Sequence, residues 1–192
     1  MLIRPLAPAD VSRLDRIDAN FESRRCLDLE KSVDGLGVVW RLVERPLDPP
    51  FVTTRYHFQP GERAALIERL RENDGLYLIA EDGDRPAALL DVEHERWRNT
   101  ASVWHLFVDR AYRRQGLGAQ LMQRAINWAR DAGLRAIVCE TQTNNWAACN
   151  FYRKSGFELG GIDDHYYSND DVVQREVALF WWYELQTRNS HG

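Results

Sequence analysis

Hydrophobic positions along the chain follow two periods, one typical of helices and one typical of strands. Apolar side chains at helical spacing predict the helices Pro8 to Phe21, Pro60 to Glu72, Gly116 to Asp131 and Trp146 to Lys154. Alternating or continuous apolar runs between turn residues predict the strands Leu36 to Val43, Leu76 to Glu81, Arg85 to Trp97, Ala101 to Asp109, Arg135 to Thr141, Phe157 onward and Glu176 to Leu185. The chain therefore forms an antiparallel meander first and alternating strands and helices afterwards.

This order of elements predicts an α/β (α+β) fold with a mixed, mostly antiparallel central sheet flanked by helices. The chain has 192 residues and is 44% hydrophobic, which suits one core, so residues 1–192 are expected to form a single domain. Asp10 is expected to cap the first helix. Glu44 to Pro50 is expected to be a loop, because prolines remove donors from a strand ladder.

The charge balance of the chain argues against a nucleic-acid partner. Lys and Arg number 25 against 29 Asp and Glu, and the net charge of -4 favours small cationic partners. Cys26, Cys139 and Cys149 show neither a disulfide framework nor zinc spacing, so no metal is expected and a reducing cytoplasm fits. The longest apolar run, Val177 to Tyr183, is too short to cross a bilayer, so a soluble protein without a membrane partner is expected.

A basic, glycine-bearing turn between a predicted strand and a predicted helix is the most informative segment. Gly116 and Gly118 allow close approach of the backbone to an anion, while the amides and the positive dipole end of the helix point to the same place. Arg113 and Arg114 add positive charge. The pattern predicts a phosphate site, although two glycines alone could simply shape the start of a helix.

Two common phosphate motifs do not fit this turn. A P-loop needs Lys followed by Ser or Thr after the second glycine, where this chain has Ala119 and Gln120. A dinucleotide-binding turn needs a third small residue, where this chain has Leu121. Nucleotide hydrolysis and hydride transfer therefore lose support.

A second segment, residues 144–157 (NNWAACNFYRKSGF), follows the next predicted strand. Together with Arg113-x-x-Gly116-x-Gly118 it resembles the GNAT superfamily of N-acetyltransferases, over roughly residues 75–185. The resemblance implies acetyl-CoA as co-substrate, a coenzyme A-binding core at 75–185 and a variable N-terminal part at 1–74.

The resemblance also implies roles for individual residues in cofactor binding. It assigns the coenzyme A pyrophosphate to the turn residues Arg113, Arg114, Gln115, Gly116, Leu117, Gly118 and Ala119. It assigns the pantetheine arm to the backbone of Phe107 and Val108. Asn145, Ala148 and Tyr152 match positions on the other side of the cofactor.

The chemistry requires an acid and a base, because an alkyl amine with a pKa near ~10 is protonated at neutral pH. Tyr152 matches the tyrosine that protonates the departing thiolate, although it could also be a core aromatic beside Phe151. Glu140 is the preferred base or amine-orienting carboxylate, and bracing of the loop is its alternative role. His105 ranks second, because strand alternation could point it away. The family often has acidic residues where this chain has Trp104 and His105.

A narrower likeness concerns the acceptor. The segments are Glu140-Thr141-Gln142-x-x-Asn145, Gly160-Gly161-Ile162-Asp163-x-x-x-Tyr167 and Glu176 to Trp181. They resemble the streptothricin (nourseothricin) acetyltransferases, which inactivate antibiotics. The likeness implies that the β-lysine amine of streptothricin is the acceptor and that Asp163 and Tyr167 bind the substrate; otherwise Asp163 forms a turn and Tyr167 packs. His105, on the strand facing this region, is also expected to contact the substrate. A protein amino group or polyamine as acceptor, a non-catalytic coenzyme A-binding module, and a homodimer all remain open.

Two further features have alternative interpretations. Asp91, Glu93 and Glu95 alternate along one strand, so they could attract a polycation or form a solvated face. Cys149 lies inside an apolar helix, which favours a buried small residue over a nucleophile. Direct attack by the amine is therefore expected, without an acyl-enzyme.

Overall fold

The computed structural model describes residues 1–54, 58 and 60–185, which fold into two compact units built from interleaved stretches of the chain. The first unit comprises the described parts of Met1–Asn20, Thr54–Cys139 and Tyr183–Gly192. The second comprises Phe21–Thr53 and Glu140–Trp182. The expectation of a single domain stays a prediction.

The strands are β1 (Leu2–Pro5), β2 (Glu22–Asp34), β3 (Gly37–Val52), β4 (Gly75–Asp82), β5 (Arg85–Glu95), β6 (Thr100–Val108), β7 (Ala136–Gln142), β8 (Glu158–Asp163) and β9 (Ala178–Glu184). The α-helices are α1 (Pro60–Glu72), α2 (Leu117–Asp131), α3 (Trp146–Lys154) and α4 (Asp171–Gln174). Short 3₁₀ helices span Pro8–Arg16 and Arg110–Tyr112. Within the described residues, no helix is both long enough and apolar enough to span a membrane.

The predicted fold class is confirmed by the strand pairing. In the first unit, β1, β4, β5 and β6 are joined by antiparallel pairs, and β6 pairs with β7 in parallel. In the second unit, β8 and β9 are antiparallel, and β2 and β3 form a separate antiparallel ribbon. The predicted turn between β4 and β5 is also present, with Gly83 at a φ of 57° that favours glycine.

The first predicted helix is wrong in type and length. The segment is a 3₁₀ helix that ends at Arg16, because Ile17 adopts extended dihedrals. Asp10 does not occupy the cap position; instead, its carboxylate accepts a hydrogen bond from the Ala7 amide at 2.9 Å. The apolar residues of the pattern are nevertheless buried, so the pattern identified the core face correctly.

The prediction of a loop at Glu44–Pro50 is also wrong, because β3 runs through this segment to Val52. Ser23 pairs with Phe51 and Arg25 with Pro46, so a single β2 residue lies opposite four β3 residues. This irregularity, together with the absence of a third strand beside the ribbon in the described residues, lets the prolines fit without breaking a central ladder. Strand β2 was not predicted, because it is largely exposed and charged.

A hydrophobic cluster in the first unit supports the strands that carry candidate site residues. Its buried members are Leu6, Val11, Leu14, Ile17, Phe58, Leu66, Tyr77, Ile79 and Leu89. Phe107 of β6 packs against this cluster. Burial of each large apolar side chain contributes about 1.5–3 kcal/mol, so the cluster holds β6 in a fixed position within its unit.

A buried ion pair joins α1 to β5. Asp91 is fully buried, and its two oxygens accept hydrogen bonds from Arg69 at 2.6 and 3.2 Å. Both interpretations of the acidic strand face are therefore wrong for Asp91, whose charge is neutralised inside the unit. Glu93 instead accepts a hydrogen bond from the Trp104 indole at 2.6 Å, and Glu95 lies 3.4 Å from Arg98.

Replacement of Arg69 by Met is expected to lower the free energy of unfolding by about 3–5 kcal/mol, because the buried Asp91 carboxylate would lose both hydrogen bonds of the guanidinium and keep His105 as its charged partner. Arg71→Met on the same helix is the matched control, since Arg71 pairs with Glu68 on the exposed surface. Urea denaturation should show a near wild-type midpoint for the control. Equal midpoints for the two variants would contradict a buried, compensated charge.

Candidate active site

Strand β6 carries part of the predicted cofactor site, and its pairing changes along its length. The parallel register with β7 ends at the pair Val103 and Cys139. Beyond that point, Phe107 and Val108 pair with β5 through Leu89 and Ala88. In an antiparallel pair, only every second residue directs its amide and carbonyl to the partner strand. The amides and carbonyls of the other β6 residues in this stretch therefore point away from β5.

Arg113, which is predicted to contact phosphate, also binds the backbone around the turn, and its phosphate contact stays a prediction. Its guanidinium donates to three backbone carbonyls, those of Val108 at 2.9 Å, Asn20 at 2.7 Å and Asp18 at 3.2 Å. These bonds tie the turn to the end of β6 and to the segment after the first 3₁₀ helix. Since several of its donors are occupied by the protein, Arg113 shapes the turn in addition to adding charge.

The turn itself has the geometry expected of an anion site. Arg114 and Gly116 have positive φ values of 61° and 83°, and α2 begins at Leu117. In the first turn of a helix the amides lack intrahelical acceptors, so those of Gly118 and Ala119 are directed out of the N-terminus together with the positive dipole end. Arg114 and Gln115 are exposed, and Gln115 donates to the Ala111 carbonyl at 3.0 Å. Cofactor binding by these residues stays a prediction.

His105 lies on β6 among carboxylates supplied by other elements of its unit. Its Nδ1 is 2.7 Å from the buried Asp91, and its Nε2 is 3.8 Å from Glu62 of α1. Burial lowers the pKa of the ring, but the two carboxylates outweigh burial and raise the pKa above its ordinary value of 6.5. The carboxylates at both ring nitrogens thus favour the imidazolium form, which cannot accept a proton, and this weakens His105 as a base.

Helix α3 in the second unit carries three of the predicted residues. Asn145 is its N-cap, and the Asn145 side chain accepts a hydrogen bond from the Ala148 amide at 3.2 Å. Tyr152 is buried and packs against Phe157 and Trp181, with ring centroids 5.3 and 6.3 Å away. These contacts fit the packing alternative, and the role of Tyr152 as an acid stays a prediction.

Cys149 lies one turn before Tyr152 on the same helix and is buried. Its sulfur is 3.6 Å from the Thr141 hydroxyl. Burial raises the pKa of the Cys149 thiol to about 11. The thiolate that a nucleophilic mechanism needs is therefore disfavoured.

Glu140 on β7 is half-buried and forms the centre of a polar cluster in the second unit. The Tyr167 hydroxyl donates a hydrogen bond to Glu140, and Gln142 donates to the Tyr167 oxygen at 3.0 Å. Burial raises the pKa of Glu140 to about 7, the Tyr167 hydrogen bond lowers it, and the charge of Glu176 raises it. The pKa of Glu140 therefore lies well above that of an ordinary carboxyl group.

Of the two residues predicted to bind substrate from the narrower likeness, only Tyr167 contacts Glu140 in the described hydrogen bonds. Asp163 is exposed at the end of β8, where its carboxylate accepts from the His165 amide at 3.0 Å, as in the turn alternative. Sequence reasoning did not assign roles to Gln142 and Asp171, which contact Tyr167. The spacing of Gln142 from Glu140, two positions along one strand, could have indicated the first; no local signal marked Asp171.

The described residues contain no group of three or more His, Cys, Asp or Glu side chains that could hold a metal ion.

Comparison with known proteins places both motifs in one family. The model of the acetyltransferase (GNAT) family matches residues 40–157. A streptothricin acetyltransferase of Escherichia coli is 36% identical over 118 residues, covering 56% of this chain and 68% of that protein. A streptothricin acetyltransferase of Streptomyces lavendulae is 26% identical over 179 residues, covering 92% of this chain and 91% of that protein.

A solved structure also resembles this chain over nearly its full length. It is that of a Bacillus anthracis str. Ames protein assigned as a streptothricin acetyltransferase, in complex with acetyl coenzyme A. The TM-score is 0.73 at 26% identity, over 96% of this chain and 97% of that one. The residues that the family model matches include the glycine turn and the segment at 144–157.

Proposed function

This chain belongs to the acetyltransferase (GNAT) family, and from that premise we propose that it transfers the acetyl group of acetyl-CoA to the β-lysine amine of streptothricin-type antibiotics. The observation that carries the proposal is the left-handed glycine turn that opens α2, in a chain whose full-length relatives include streptothricin acetyltransferases. The reaction would remove one positive charge from the antibiotic and inactivate it inside the cell that makes the enzyme.

The residues of the glycine turn fit a diphosphate. Gly116 adopts a φ of 83° that other residues rarely adopt, and this conformation brings the start of α2 into place. The amides of Gly118 and Ala119 and the exposed Arg114 side chain would hold the pyrophosphate of coenzyme A. Main-chain groups of Phe107 and Val108 would pair with the pantetheine amides. Bound acetyl-CoA supplies the activated acyl group.

Glu140 fits the proton acceptor of this reaction. An ammonium group with a pKa near ~10 must lose a proton before it can attack a carbonyl carbon. Glu140 has a pKa of about 7, so its ionised form is available at neutral pH while remaining more basic than an ordinary carboxylate. Tyr152 would donate the proton that the departing thiolate takes up. Cys149 takes no part, so the amine attacks directly.

Incubation of the purified protein with acetyl-CoA and streptothricin is expected to add one acetyl group to the β-lysine moiety. This change raises the mass of streptothricin by about 42 Da. Tandem mass spectrometry locates the added group. A polyamine and a lysine-containing peptide serve as competing acceptors in parallel reactions. If those acceptors are acetylated and streptothricin is not, the substrate is a different amine. If no amine causes release of the coenzyme A thiol, the protein is a non-catalytic coenzyme A-binding module.

The Tyr152→Phe variant is expected to lower kcat by about 10²-fold or more, because a general acid contributes at this level. The phenyl ring keeps the contacts with Phe157 and Trp181, so the unfolding midpoint and the acetyl-CoA affinity should stay close to wild type. Stopped-flow measurement of thiol release gives kcat, and calorimetry gives the affinity. Undiminished kcat would restrict Tyr152 to packing.

The rate should depend on the ionisation of Glu140. The pKa of this carboxyl is raised to about 7, and a base acts in its ionised form, so kcat/KM should rise with pH through about 7 and fall as the solution becomes more acidic. Glu140→Gln should remove this rising limb and lower kcat/KM by about 10²-fold or more. Glu158→Gln, an exposed glutamate on β8, is the control that should keep the limb. A limb that persists in Glu140→Gln would assign the base to another group.

A further inference from the structure

Hydrogen bonds within the second unit hold Tyr167 both at its backbone and at its hydroxyl group. Its amide donates to the Asp171 carboxylate at 2.9 Å, and Ser168 donates its hydroxyl to the other oxygen of Asp171 at 2.6 Å. Asp171 is buried, and its own carbonyl accepts from the Glu176 amide at 2.8 Å. Although the Tyr167 ring is 41% exposed, its backbone is thus fixed by a buried carboxylate.

The direction of the hydrogen bonds at the Tyr167 hydroxyl is set by chemistry. The Gln142 amide nitrogen can only donate, so the Tyr167 oxygen accepts this bond at 3.0 Å. A phenol has one proton, and the carboxylate of Glu140 is the acceptor that it reaches. The chain of bonds therefore runs from Gln142 to Tyr167 to Glu140.

The groups around Glu140 leave Tyr167 as its principal partner. Glu176, which precedes β9, and Cys149 of α3 interact electrostatically with Glu140, and both interactions disfavour a second negative charge. No ion pair of the described residues includes Glu140, whereas Asp28 and Asp164 of the same unit pair with cations at 2.9 and 2.6 Å. The ionised form of Glu140 is thus stabilised by a neutral phenol and by no Lys or Arg of the described residues.

From this arrangement we infer that Tyr167 is a positioning residue, whose hydroxyl orients the Glu140 carboxylate to receive the proton of the acceptor amine. Gln142 directs that hydroxyl, and Asp171 anchors the Tyr167 backbone. The inference rests on the proposed function and changes the role expected from the narrower likeness, in which Tyr167 grips the substrate. One oxygen of Glu140 accepts the hydrogen bond of Tyr167, and the inference assigns the other oxygen to the ammonium group. The proton moves from the amine nitrogen to that oxygen, and no other bond changes in this step.

The Tyr167→Phe variant tests this inference through its pH profile. A hydrogen bond to the charged form stabilises that form, so its loss should raise the pKa of Glu140 further. The rising limb of kcat/KM should move up by about one pH unit, which makes the variant about 10-fold slower below the limb and closer to wild type above it. Tyr166→Phe is the matched control, since Tyr166 is a neighbouring exposed tyrosine that packs on Phe180. Its profile should match wild type.

Two outcomes would overturn the inference. A limb at the wild-type position with a raised KM for the acceptor would show that Tyr167 contacts the substrate instead. A profile and KM both equal to wild type would show that its hydroxyl has no role.

A measurement without turnover separates failure of this inference from failure of the proposed function. Infrared titration of the carboxyl band that is lost in Glu140→Gln reports the Glu140 pKa directly, and the same upward shift is expected in Tyr167→Phe. An unshifted band would reject the inference even if acetylation occurs. A shifted band in a protein that acetylates no amine would reject the proposed function alone.

Discussion

The free-energy cost of burying a carboxylate is the constraint on which this structure most depends, and the chain meets it in two ways. In the first unit, Asp91 is fully buried and is neutralised by Arg69 and His105. In the second unit, Glu140 is half-buried, and among the described residues its hydrogen-bond donor is the neutral hydroxyl of Tyr167. Because a cation fixes a carboxylate in its charged form and a phenol does not, Asp91 serves the fold while Glu140 can exchange a proton near neutral pH.

The same distinction applies to the arginines of the glycine turn. Arg113 donates hydrogen bonds to backbone carbonyls, including that of Val108, and thereby fixes the path of the chain between β6 and α2. Arg114 is exposed at a positive φ, next to the amides that open α2. The two neighbouring arginines of the motif thus differ in the structure: Arg113 is bound to backbone carbonyls, and the Arg114 side chain is exposed.

Much of the fold could be predicted from the sequence because it follows from local chemistry. Helices α1 and α3 begin and end where the apolar period and the following glycine or asparagine indicate, and the meander follows from its turns. The failures lie where a partner far away in sequence decides. Strand β2 is exposed and charged, and Pro46 lies in a strand because β3 pairs with this distant strand, in an irregular register and in a two-stranded ribbon.

The sequence by itself determined helices α1, α2 and α3, the strands of the meander, the glycine turn before α2 and the family, since these depend on residues close together in the chain. Only the tertiary structure decided which acidic groups are neutralised, because Arg69 is 22 positions from Asp91 and Tyr167 is 27 positions from Glu140. Neither the burial of a carboxylate nor the identity of its partner can be predicted from the residues next to it in the chain. Both arise when distant segments pack, and together they set the proton affinity on which the proposed chemistry rests.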